Sequence, residues 1–131
     1  MQLNASKVFY SFSVDDIEKA KKFFGETLGL KVTQRPEGLE LHLTGGGLPV
    51  FIYPSSDYHV PEHTVLNFIV ADIDKAVDDL LGRGIQIEHY DETGIKTDAK
   101  GIMHRKAGEM GPKAIAWFKD PAGHILSVLS Q

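Results

Sequence analysis

The sequence predicts an α+β fold: two βαβββ modules whose strands form one cupped, mixed β-sheet with the helices on its outer face. Three observations carry this. Residues 10–20 (YSFSVDDIEKA) and 66–76 (LNFIVADIDKA) repeat at an offset of 56, with six of eleven pairs identical, from Phe12/Phe68 to Ala20/Ala76. About one match would be expected by chance. With one residue deleted, the repeat continues as Gly29-Leu30-Lys31-Val32 against Gly84-Ile85-Gln86-Ile87. Each copy also has the same local order of strand, capping Asp, helical period, Gly and short strands. Finally, 131 residues suit one domain, whereas halves of about sixty residues are marginal alone. The expected organisation is a single domain over 1–131, with module one at about 6–56, a linker at 57–63 and module two at about 64–131.

The elements follow in order. Val8, Tyr10, Phe12 and Val14 alternate with Phe9, Ser11 and Ser13, the period of a half-buried strand. Leu66, Phe68 and Val70 do the same in the second copy. Asp15 or Asp16, and Asp72, cap the helices, with Glu18 and Asp74 favourably placed against the helix dipole. Helix one uses Ile17, Ala20, Phe23 or Phe24, and Leu28, and stops at Gly29. Helix two uses Ile73, Ala76, Val77, Leu80 and Leu81, and stops near Gly82 or Gly84. Strands are expected at 31–35, 39–44 and 49–53, joined by PEG and GGG turns, and at 85–90, 114–118 and 125–129. The last two meet at the Asp120-Pro121-Ala122-Gly123 turn. Residues 91–113 show no clear period and read as a long loop.

Composition excludes several chemistries. The chain has no cysteine, so disulfides, thiolate nucleophiles and Cys-held metals are out. A net charge of −4 with interspersed signs lacks the footprint of a nucleic-acid binder. No apolar run approaches the ~20 residues of a membrane span. The opening MQLNASKVF lacks the basic-then-apolar pattern of a secretory leader, so a cytoplasmic location is expected. Gly45-Gly46-Gly47 joins two strands and opens no helix, so it is no phosphate cradle.

The segments FSVDDIEKAKKFFGETLGLKV (12–32), FIVADIDKAVDDLLGRGI (68–85) and WFKDPAGHILSVL (117–129) resemble the vicinal oxygen chelate superfamily. That superfamily includes glyoxalase I, bleomycin-resistance proteins and extradiol dioxygenases. The resemblance implies a divalent metal held by four residues, two per module, usually His, Gln or Glu. Their counterparts here are Phe9, Val65, Ser127, and Phe51 or Ile52. Phe and Val cannot bind a metal, and a Ser hydroxyl is a poor ligand, so no metal and no other cofactor is expected. The resemblance also implies a homodimer, since two-module members often pair through helices or sheet edges.

Other ligand sets are weaker. His59-Val60-Pro61-Glu62-His63 matches H-x-x-E-H, but that chemistry needs a helix, and Pro61 denies it. Glu40 and His42 share one strand face, opposite Leu39, Leu41 and Leu43, on a strand expected near a module edge. Parity turns Phe9, Ser11, Phe51, Tyr53, Val65, Asn67 and Ser127 into the cup, with Trp117 nearby. These residues make an aromatic cavity with a few hydrogen-bonding groups, the usual constitution of a small-molecule site. They could instead simply fill the cup. Lys96, Lys100, Arg105, Lys106 and Lys113 mix with Asp91, Glu92, Asp98 and Glu109, which reads as a solvated loop or as a lid.

The favoured reading is a protein that binds a small, partly aromatic molecule without metal. The alternative is a lyase, isomerase or dioxygenase-type enzyme using atypical ligands or acid–base groups such as Glu40, His42 or Tyr53. A partner-binding module with an empty groove is the third possibility. No catalytic residue is assigned.

Overall fold

A computed structural model describes residues 3–43, 45, 47–106 and 108–131. The chain divides into two compact units, Met1–His59 and Val60–Gln131. Each holds a four-stranded mixed sheet and one helical segment, an α+β architecture.

In the first unit, strands β1 (Ser11–Val14), β2 (Lys31–Arg35), β3 (Gly38–His42) and β4 (Val50–Pro54) lie in the order β1-β4-β3-β2. β1 runs parallel to β4, and the other pairs are antiparallel. The register places Phe12 beside Ile52, and Leu39 beside Ile52 on the other side, so Val14, Leu39, Leu41, Val50 and Ile52 form the buried face. Ser11, Ser13, Thr33, Arg35, Glu40, His42, Phe51 and Tyr53 occupy the opposite face by alternation.

Helix α1 (Ile17–Lys21) starts at Asp16, whose Oδ1 accepts from the backbone N–H of Glu18 and Lys19 at 3.1 Å. This satisfies two orphan donors of the first turn. From Lys22 to Thr27 the helix widens into a π turn, in which Leu28 N–H donates to Phe23 O at 2.8 Å. The wide turn buries consecutive rings: Phe23 is 9% exposed and Phe24 fully buried. The two meet edge to face at 5.1 Å. An ordinary helical turn spreads neighbours by about 100°, which is why the sequence pattern offered only one of them. Gly29, with φ of 72°, then ends the helix.

The second unit orders its main strands β5 (Thr64–Ile69), β10 (Ile125–Ser130), β9 (Ala114–Lys119) and β8 (Met103–His104) side by side. β6 (Asp91–Glu92) and β7 (Ile95–Lys96) make a separate small hairpin. Helix α2 (Ile73–Gly82) is capped by Asp72, whose Oδ1 accepts from Lys75 N–H at 3.1 Å. Ile73, Val77 and Leu80 share one buried stripe, and the helix packs on β9 and β10. Each such side chain contributes about 1.5–3 kcal/mol.

Three sequence expectations are corrected. Alternation predicts Val8 and Tyr10 on the buried side of a strand, but they are 75% and 77% exposed. Strand β1 starts only at Ser11, because pairing with β4 ends where Phe51 N–H reaches Tyr10 O. Residues 85–90 form no full strand: only Ile87 bridges to Phe118, with Glu88 N–H on Trp117 O. The free edge of β9 is shared, since β8 takes Ala114 and Ile115. Residues 91–113 are accordingly not a structureless solvated loop. Ile102 is fully buried and Met103 nearly so. Asp98 accepts from the N–H groups of Lys100 and Ile102, and Lys100 Nζ pairs with Asp74 and Asp78 on α2. Gly46 of the GGG turn, and Thr44 at the end of the expected strand 39–44, lie outside the described residues.

Candidate functional site

The site builds on the open face of the first sheet. The two-residue turn Pro36-Glu37 fixes the β2–β3 register, setting Arg35 opposite Gly38 and Thr33 opposite Glu40. On the other side, Glu40 faces Phe51, and Phe51 faces Ser11. This row brings together sequence candidates Ser11, Glu40 and Phe51.

Beside them is a pocket of about 480 Å³ lined by Phe9, Arg35, Glu37, Glu40, Leu48, Pro49 and Phe51. Its wall is mostly apolar, with charged groups to one side. The Phe51 and Tyr53 rings stack nearly parallel, 6.0 Å apart, extending an aromatic surface along β4. Gly38 makes room for this: a Cβ there would stand 3.1 Å from Phe51 Cζ and 2.2 Å from the backbone O of Ile52. Arg35 Nε donates to Glu40 Oε1 at close range. His42 Nε2 and Thr33 Oγ1 lie 3.0 Å apart, so His42 is engaged within the sheet. β3 is not itself an edge strand, because β2 covers its outer side.

The second sheet holds the remaining candidates. Ser127 is fully buried and its Oγ donates to Asn67 Oδ1 at 2.5 Å. Trp117 is the cross-strand neighbour of Ser127 and meets Tyr90 edge to face at 5.5 Å. Burial, together with the Glu88 carboxylate, raises the Tyr90 pKa above its ordinary value and keeps the phenol protonated. Val65 falls in a bulge: Thr64 pairs with Ile125, and Leu66, not Val65, pairs with Leu126.

No group of three or more His, Asp or Glu is arranged to hold a metal among the described residues. The stretch around His59 and His63 is not helical, so H-x-x-E-H lacks its required geometry. At the positions where the resemblance expects metal ligands, Phe9, Phe51 and Val65 offer no donor atom. Ser127 offers only a neutral hydroxyl, a poor ligand, which donates its hydrogen to Asn67. These residues do not fit a divalent ion.

A family model for the glyoxalase/bleomycin resistance protein/dioxygenase superfamily matches residues 8–128, nearly the whole chain. The chain belongs to this superfamily. Among solved structures, it is similar to TnmS3, an antibiotic-binding protein from Streptomyces sp. CB03234. That match has 19% identity and a TM-score of 0.66, covering 99% of this chain and 98% of the other. A glyoxalase/bleomycin resistance protein/dioxygenase from Alicyclobacillus acidocaldarius matches at 19% identity and a TM-score of 0.65, covering 99% and 94%. The fosfomycin resistance protein FosX from Listeria monocytogenes matches at 11% and 0.66, covering 98% and 95%. At these identities the likeness establishes the glyoxalase/bleomycin resistance fold and nothing finer. No curated protein matches the chain.

Arg35, Glu37, Leu48 and Pro49 were not among the candidates read from sequence. Arg35 was within reach, since the PEG hairpin fixes it two residues from the partner of Glu40. Leu48 and Pro49 follow the Gly-rich turn, whose path no periodicity specifies. The buried pair Asp120 and His124 was also missed, although both belong to the quoted DPAGH segment.

Proposed function

We propose that this superfamily member binds a small, partly aromatic molecule on the open face of its first sheet, without a metal. The observation that carries the reading is the pocket of about 480 Å³ walled by Phe9, Leu48, Pro49 and Phe51. Its size and mostly apolar wall, with a few charged groups to orient a guest, suit a small-molecule site. Tyr53, stacked on Phe51, extends the surface on which a planar ring can lie. On this face Ser11 is retained as a candidate contact and His42 as a polar neighbour, while Val65, Asn67, Trp117 and Ser127 remain candidates on the second sheet, taken by itself. The antibiotic-binding TnmS3 shares the fold and is consistent with this use of it.

A thermal-shift screen against small aromatics, antibiotics and divalent metals tests the reading, since any ligand of the native state raises the midpoint. Stabilisation by an aromatic compound, abolished in Phe51→Ala, is the expected result. Stabilisation by a metal alone would favour a lyase, isomerase or dioxygenase instead. Silence across the panel would overturn small-molecule binding.

A cytoplasmic homodimer completes the proposal. β1 ends the first sheet, and its Ser-Phe-Ser-Val sequence has none of the charges or prolines that guard sheet edges. The exposed Val8, Phe9 and Tyr10 precede it. Light scattering at micromolar concentration is expected to give twice the chain mass; a monomer would count against it.

A further inference from the structure

The two charged side chains that meet on the pocket wall are unequal partners. Glu40 sits mid-strand between the buried Leu39 and Leu41, and its side chain is 22% exposed. Arg35 stands at the end of β2 and is 56% exposed. Its Nε is the one hydrogen-bond donor reaching the Glu40 carboxylate among the described residues. A carboxylate drawn this far from water needs a cation or several donors. A long, half-exposed arginine at a strand end can return to water at little cost. Glu37 lines the same pocket from the adjoining turn, so its wall carries two carboxylates and one guanidinium.

We propose that Arg35 is a built-in competitor for the ligand. In the empty pocket its guanidinium occupies Glu40, and a guest carrying a cationic group binds by displacing it. The Arg35–Glu40 pair thereby sets which ligand charge the pocket accepts. A neutral guest leaves the pair intact and gains only from the aromatic wall. The inference rests on the pocket being a small-molecule site.

The test compares two fluorescent probes, the planar cation thioflavin T and the neutral N-phenyl-1-naphthylamine. Both are titrated into the wild-type chain, Arg35→Gln and Glu40→Gln. The readout is the ratio of cationic to neutral affinity, which cancels changes common to both. Arg35→Gln is expected to raise the ratio about three- to fivefold, the worth of a half-exposed ion pair. Glu40→Gln is expected to lower it below wild type. A ratio unchanged or lowered in Arg35→Gln overturns the competitor while leaving the pocket in place. If neither probe binds any of the three proteins, the small-molecule reading falls and the competitor with it.

Discussion

Ser127 and Asn67 face each other across β10 and β5, with the serine hydroxyl donating to the amide oxygen at 2.5 Å. The resemblance expects a metal ligand at Ser127, where a neutral hydroxyl is a poor one, and its counterparts Phe9, Phe51 and Val65 carry no donor atom. Elemental analysis of the purified protein is expected to find far less than one zinc, nickel, manganese or iron per chain. Ser127→Ala should lower stability by about 1 kcal/mol and leave the metal content unchanged. One tightly held ion per chain would defeat the binding-only reading.

Gly38 and the backbone of β4 leave no room for a side chain. Gly38→Ala must push the Ile52 carbonyl and crowds the Phe51 ring as well, and overpacking of this kind costs about 1–3 kcal/mol. Urea denaturation should show the loss, and any aromatic guest should bind less tightly because Phe51 is displaced. Wild-type stability in this variant would mean that β4 has slack.

Asp120 and His124 close the turn between β9 and β10 as a buried pair. Asp120 Oδ1 accepts from His124 N–H at 2.7 Å, and Oδ2 lies 2.9 Å from His124 Nδ1, with both side chains 1% exposed. Removing the carboxylate leaves two buried nitrogen groups without this acceptor. Asp120→Ala is therefore expected to cost about 3 kcal/mol or more by chemical denaturation. A cost below about 1 kcal/mol would show that the turn holds without the pair.

The Asp98 turn is expected to loosen in acid. Burial disfavours its charged form, but hydrogen bonds from Ile102 N–H, His104 and Lys100 N–H outweigh that and hold its carboxyl below the usual range. A depressed folded value means the contribution is present above the unfolded pKa, near 4, and fades as pH falls through the folded one. The group is partly exposed, so the effect is modest. Protection of the Lys100 and Ile102 amides, measured against their intrinsic exchange rates at the same pH, should fall roughly fivefold in Asp98→Ala at neutral pH, and in the wild type only under acid. Equal protection in both proteins would show that the carboxylate is not what holds the turn.

The fold was legible because its signals are local. The repeat, the two aspartate caps, Gly29 and the PEG hairpin each act within a few residues, and the boundaries of β2 emerged unchanged. What sequence could not supply was partnership at a distance. How the edge of β9 is divided between residues 87–88 and 103–104 depends on partners distant in sequence, and no periodicity encodes it. The same holds for the pocket. Parity found Phe9, Glu40 and Phe51, whereas Leu48 and Pro49 arrive by the path of a turn. Val8 and Tyr10 were misread because alternation continues past the point where strand pairing ends.

The wide turn of the first helix accounts for the break in the internal repeat. Between Ala20 and Gly29 the first copy carries one residue more than the second does between Ala76 and Gly84. A hydrogen bond spanning five residues swallows that extra residue within Lys22–Thr27, so the chain still leaves the helix in phase for β2. The one-residue difference in length between the two copies is thus taken up inside a single turn, and the strand that follows keeps its register.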